Sequence, residues 1–468
     1  MLFNSLQYAI FLPITWLLFW LTPARWRVEL LLVASYVFYA SWSPPYAGLM
    51  FVLAVANYVF GLAVGRATRR KRLVLWGCIA ADLAVLGFFK YWDFAAESTT
   101  RIVESATGTG WDPIFLELVL PLGISFFTFE FIHYLVDIYR GSVPVHSFSK
   151  FHVFAAFFPT QIAGPIKRFQ QFVPALTGLD RFDPELAKDG LRLIGIGLVK
   201  KVLLADKLAP IADAGFAAGA AGEIGSGEAW IASLAFALQI YFDFSGYTDI
   251  ARGSAQLFGF HIPINFDAPY LATGVADFWR RWHISLSSWL RDYLFIPLGG
   301  SRRGRWITVR NLLITMGLGG LWHGAAWHFV VWGLYWGVAL SLDRVCRTWL
   351  PRRTTTATTL VGWVVTQLVV LVGWVLFRAG SLAEAAPILR AMVTYEPSSN
   401  VFSTGATFYV AVVASVLIVG SIVARRGWCP TPPPVLRPVF LGAALALVVA
   451  YAAIAEPATG QRFVYFQF

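Results

Sequence analysis

The chain has 468 residues, of which 57% are hydrophobic, 16% aromatic and only 13% charged. A soluble domain carries about 25% charged residues, and here apolar stretches near the spanning length of about 20 residues recur from end to end, which excludes a water-soluble fold. The net charge of +11 is gathered in short loops, which leaves no basic domain for nucleic acid and reads first as the Lys and Arg excess of cytoplasmic loops.

Spans are predicted in chain order at about 5–22, 28–42, 46–64, 73–91, 113–138, 188–206, 228–246, 311–342, 359–378, 405–424 and 436–454. The basic run Arg66, Arg69, Arg70, Lys71 and Arg72 is the strongest orientation signal and is assigned to the cytoplasm, which puts the N-terminus outside. With Arg344, Arg347, Arg352 and Arg353, and Arg425 and Arg426, also assigned inside, the three spans after Arg353 alternate so as to put the C-terminus outside as well. The first stretch has no basic leader and no small-residue cleavage site, so it is expected to be a retained span. No internal repeat is visible, so an inverted-repeat transporter has no support. Cys78, Cys346 and Cys429 are scattered and suggest neither a disulfide framework nor a thiolate metal site.

The middle departs from this pattern. Residues 150–185 and 247–310 are apolar yet broken by Pro159, Pro165, Pro174, Pro263, Pro269 and Pro297. Non-helical backbone at membrane depth survives only when buried in protein or lining a wet cavity. Ordinary spans around a broken, polar centre are therefore expected, in a single domain over 1–468 with its core at about 120–345 and C-terminal spans at 359–454.

Several ionisable residues stand inside or beside apolar stretches, where they are functional candidates by default. His323 lies in LGGLWHGAAWH at 318–328. It is either a reactive imidazole reached through flanking glycines or a hydrogen-bonding link between helices. His328 is about 140° around a helix from it, so the two do not form a metal-binding pair. His283 follows DFWRRW, a setting that also suits an interface-anchored helix. Asp243 and Asp249 lie in YFDFSGYTD. Glu130, His133 and Asp137 recur at i, i+3 and i+7 on one helical face, as a polar lining or, less simply, a metal site. No nucleophile elbow, Walker loop or dinucleotide fingerprint occurs.

These pieces together resemble a known family. DFWRRWHISLSSWLRDYLFIPLGGSRRG at 277–304, FDFSGYTDIARGSAQLFGF at 242–260, INFDAPY at 264–270 and GGLWHGAAWHFVVWGLYWG at 319–337 are similar to the signature of membrane-bound O-acyltransferases. GWVLFRAGSL at 373–382 and the terminal FVYFQF at 463–468 resemble the bacterial branch that O-acetylates alginate.

The resemblance implies an all-α ring of about 11 transmembrane helices around a thinned centre, with re-entrant segments and a tunnel. It implies that His323 is the catalytic histidine, acting as general base, work that an unperturbed imidazole pKa of about 6.5 suits near neutral pH, and that His283 is the second polar position, orienting or polarising the acyl group. Asp243, Asp249, Glu130 and His133 would line the tunnel, with no metal and no permanently bound cofactor. Acetyl-CoA is the implied donor. Arg302, Arg303 and Arg305 would meet its phosphates, or serve only as inside-positive charge. The resemblance further implies the bacterial inner membrane and a periplasmic SGNH-type acetyltransferase partner that finishes delivery to an exported polysaccharide. D-alanyl transfer from a carrier protein, or a polymer or lipid transporter, are the competing readings.

Overall fold

The computed structural model describes residues 1–427 apart from 109, 111, 180 and 350–354. The predicted span at 436–454, the FVYFQF terminus, Arg352, Arg353 and Cys429 lie outside the described residues. Among the described residues there is no β-strand. The helices are α1 (Leu6–Leu21), α2 (Arg27–Ala40), α3 (Pro44–Arg66), α4 (Lys71–Leu86), α5 (Trp92–Thr107), α6 (Ile124–Tyr139), α7 (Phe148–Ala156), α8 (Phe169–Ala175), α9 (Pro184–Leu198), α10 (Asp206–Ala220), α11 (Ser226–Leu257), α12 (Val275–Arg281), α13 (Ile284–Leu290), α14 (Arg305–His323), α15 (Trp327–Trp349), α16 (Thr356–Arg378), α17 (Leu382–Val393) and α18 (Thr404–Arg425). Pro44–Arg66, Lys71–Thr107, Trp327–Thr348, Thr356–Arg378 and Thr404–Arg425 are each long and apolar enough to cross a bilayer. The protein is therefore a multi-pass, all-helical membrane protein.

Local chemistry sets where helices begin. The hydroxyls of Ser5, Ser147, Ser381 and Ser403 accept the backbone N–H three residues on, satisfying donors that a helix start leaves orphaned. Thr355 and Thr358 form a reciprocal capping box ahead of α16.

The residues form two compact units, Met1–Leu191 with Ala251–Pro263, and Arg192–Ile250 with the described residues from Ile264 on. In the first unit, the broken stretch between α7 and α8 is irregular and buried over 157–167. Two of its polar side chains reach partners elsewhere in the unit, as burial at membrane depth favours. Lys167 Nζ binds Glu130 at 2.8 Å, both side chains nearly inaccessible, and the Gln161 amide donates to Met50 Sδ. Gly123, at φ +76°, brings its Cα within reach of the Gln161 carbonyl, where a Cβ would stand at 2.4 Å.

The predicted span 113–138 is helical only from Ile124. Pro121 and Gly123 stop the helix from starting earlier. The preceding backbone is held instead by side chains: the Asp93 carboxylate accepts the N–H groups of Leu116 and Glu117, and Tyr39, Tyr46 and Trp92 donate to the carbonyls of Leu122, Val119 and Ile114.

The predicted single span 311–342 is in fact a helical hairpin in the second unit. α14 ends at His323, the chain turns through 324–326, and α15 runs back along it. Glycines set the crossing: a Cβ on Gly320 would stand 2.1 Å from the Phe329 carbonyl oxygen, and one on Gly333 2.2 Å from that of Met316. Gly337 packs on Leu313 farther down. This register returns α15 to the end where α14 began, so Arg302, Arg303 and Arg305 share an end with Arg344 and Arg347. A single span would have separated these two basic groups across the membrane, against the inside-positive rule. Gly320→Ala is expected to destabilise the protein by about 1–3 kcal/mol or more, because the added methyl meets backbone that cannot move aside. Thermal unfolding in detergent reads this against Gly77→Ala, whose added methyl meets nothing within 4 Å and should be neutral.

Candidate active site

His323 is the last residue of α14 and is buried. The helix can end there because Gly324 follows in an extended conformation, and a Cβ on Gly324 would stand 2.1 Å from the Phe329 ring. Three aromatic rings box the imidazole nearly at right angles. Trp322 lies at 4.8 Å, Trp332 at 5.0 Å and Phe377, from α16, at 5.3 Å between ring centroids. Such a box fixes the plane of the imidazole at the end of α14.

His283 stands just before α13 with only 1% of its surface exposed. Its backbone is left-handed, at φ 43° and ψ 56°, a conformation that costs an L-residue about 1–2 kcal/mol and that clusters at functional sites. The ring meets Phe244 of α11 edge-on at 4.7 Å and lies 6.3 Å from Trp322. Trp322 thus touches both histidines, so the two residues singled out 40 positions apart converge on one indole.

Asn265 holds the backbone just after this bend. Its carbonyl accepts the Ile284 N–H at 3.0 Å, its Oδ1 accepts the Ser285 N–H at 3.1 Å, and its Nδ2 reaches the Thr248 hydroxyl at 3.5 Å.

Asp243 and Asp249 are engaged in ion pairs. Lys201 Nζ lies 2.7 Å from Asp243 and 2.9 Å from Asp206, and Lys200 Nζ lies 2.6 Å from Asp249. The lysines occupy a wide helical turn at Val199–Ala205. They come within reach because the two helices cross at glycine: a Cβ on Gly197 would stand 2.5 Å from the Gly246 oxygen, and the converse distance is 2.7 Å. Glu130 and His133 belong to the first unit. Glu130 pairs with Lys167, while His133 is fully buried and stacks on Phe169. Asp137 accepts from the Gln170 amide. This face of α6 therefore clasps the segment 167–170. Lys167, Lys200 and Lys201 were missed at the sequence level, although each is a lysine in an apolar run and an intramembrane carboxylate calls for such a partner.

Arg302, Arg303 and Arg305 are exposed at the start of α14. The loop that carries them turns through Gly299, Gly300 and Gly304, all at positive φ, and the Asn311 amide donates to the Gly300 carbonyl at 3.0 Å. At 1.5 Å per residue, α14 sets this basic loop about 27 Å from His323.

Residues 108–382 match MBOAT, the membrane-bound O-acyltransferase family. The chain is 43% identical over 406 residues to the probable alginate O-acetylase AlgI of Azotobacter vinelandii, covering 84% of this chain and 78% of that protein. It is 37% identical over 428 residues to the peptidoglycan O-acetyltransferase of Helicobacter pylori, covering 84% and 80%. It is 28% identical over 249 residues to the teichoic acid D-alanyltransferase of Streptococcus thermophilus, covering 50% and 58%.

Proposed function

The chain belongs to the membrane-bound O-acyltransferase family and is an O-acyltransferase, and from that premise we propose that it moves acetyl from acetyl-CoA on the cytoplasmic side to a hydroxyl outside, for O-acetylation of an exported polysaccharide such as alginate. The observation that carries this reading is the α14–α15 hairpin. It puts His323 at its tip and both basic ends together about 27 Å away, so donor phosphates and acceptor hydroxyl have separate ends of one element.

His323 acts as general base. Its imidazole takes the proton of the attacking hydroxyl as the oxygen bonds to the thioester carbonyl carbon. The tetrahedral intermediate collapses with cleavage of the C–S bond, and the departing CoA sulfur takes that proton to leave as thiol. His283, which also lies against Trp322, orients the acyl group or polarises its carbonyl. The ion-paired Asp243 and Asp249 are read as polar framework of the second unit, and Glu130 with His133 as polar framework of the first. We place the protein in the bacterial inner membrane with its N-terminus in the periplasm. A periplasmic SGNH-type acetyltransferase completes delivery to the polymer.

The arginines of the α14 loop bind CoA phosphates in this account. Replacing Arg302, Arg303 and Arg305 by Gln should raise the KM for acetyl-CoA about tenfold, or about 1.4 kcal/mol, with kcat little changed. An unchanged KM removes them from donor binding.

A D-alanyl relative at 28% identity makes a carrier-protein thioester the rival donor. Membranes given radiolabelled acetyl-CoA or a D-alanyl carrier protein distinguish the two. Label from acetyl-CoA alone supports the proposal, and label from the carrier alone overturns it.

A further inference from the structure

We propose that Asn265 is the positioning residue for His283, an inference that rests on the acyl-transfer reading given above. A helix start leaves backbone N–H groups unmet, and the residue before it ordinarily meets one with its own side chain from an extended conformation. His283 occupies that position ahead of α13 but is left-handed and makes no such bond. Asn265, from the INFDAPY segment, does the capping in its place. Its carbonyl takes the Ile284 N–H and its side-chain oxygen the Ser285 N–H. The amide is fully buried.

The consequence for His283 is geometric. Relieved of capping its own helix, the imidazole lies against Phe244 and Trp322. Phe244 and Thr248 are four residues apart on α11, and so share a helix face. The face that receives the His283 ring is therefore the face to which the Asn265 amide reaches. One buried side chain ties together the FDFSGYTD, INFDAPY and RRWHIS segments, and it fixes both the backbone bend and the wall against which the ring rests. A strained backbone persists only where its surroundings determine it this closely.

The test is a double-mutant cycle on acetyl transfer from radiolabelled acetyl-CoA, with folded protein quantified by size-exclusion chromatography. Asn265→Ala should lower kcat about 10²-fold and change the donor KM less than threefold. Asn265→Asp keeps an oxygen for the Ser285 N–H and puts its charge at a helix start, where an anion is favoured, so it should recover to within about tenfold of the parent. The double variant with His283→Ala should be no slower than His283→Ala alone, since residues acting through one group are not additive. Additive losses, or an Asn265→Asp variant as slow as Asn265→Ala, overturn the positioning role while leaving His283 in place. Full activity in His283→Ala overturns the acyl-transfer reading of His283 and this inference with it. If Asn265→Ala does not fold, Thr248→Val takes its place in the cycle, and additivity there counts against the proposal in the same way.

Discussion

His323→Ala is expected to abolish acetyl transfer, with a loss of at least about 10³-fold, in a protein that still folds and inserts. General-base catalysis by a positioned imidazole contributes about 10²–10⁴-fold, and a methyl group cannot accept the hydroxyl proton. The fold should survive because the turn after α14 is set by Gly324 and the hairpin crossing by Gly320 and Gly333, none of which the substitution touches. The ring leaves behind a gap among Trp322, Trp332 and Phe377, which costs stability but not topology. Transfer rate and chromatographic homogeneity, measured on the same preparation, check both halves of the statement. Normal transfer would remove His323 from the reaction.

The second large effect is at His283. Both His283→Ala and His283→Gly should lower kcat by about 10²-fold with donor KM nearly constant, the signature of a contact made in the transition state. They should differ in stability. Ala must keep the left-handed backbone of this position, whereas Gly adopts it at no steric cost, so His283→Gly should be more stable than His283→Ala by about 1 kcal/mol. Thermal unfolding measures that difference. Equal stability would mean that the bend is not held against strain.

Hydropathy alone located α3, α16 and α18 closely, because each is one apolar run with polar ends. It misread 311–342 because Gly324, Ala325 and Ala326 form a turn with no proline and no charge, so the apolar run does not break where the chain does. The legible sign was the glycine spacing: Gly320, Gly333 and Gly337 suit two helices in close contact better than one helix facing lipid. The span 113–138 failed for the opposite reason, since 113–123 is apolar apart from Glu117 but is held by hydrogen bonds with Tyr39, Tyr46, Trp92 and Asp93 rather than within a helix.

At the site, the histidines stood out as ionisable residues in apolar surroundings, but their meeting at Trp322 depends on tertiary packing that no local pattern encodes. The aspartates were visible for the same reason as the histidines. Their engagement by Lys200 and Lys201 was not, because it depends on the Gly197–Gly246 crossing. Asn265 was hidden altogether: a neutral amide in a motif announces neither charge nor strain, and its task appears only once the backbone at 283 is seen.

The most direct test uses inside-out membrane vesicles from cells that also make the periplasmic partner and the polymer. Radiolabelled acetyl-CoA is added to the outer, originally cytoplasmic, face, and alkali-labile acetyl ester is measured inside. Label is expected to accumulate within parental vesicles and not in those carrying His323→Ala. Equal accumulation in both, or labelled ester confined to the face where acetyl-CoA was added, would contradict transfer across the membrane through His323.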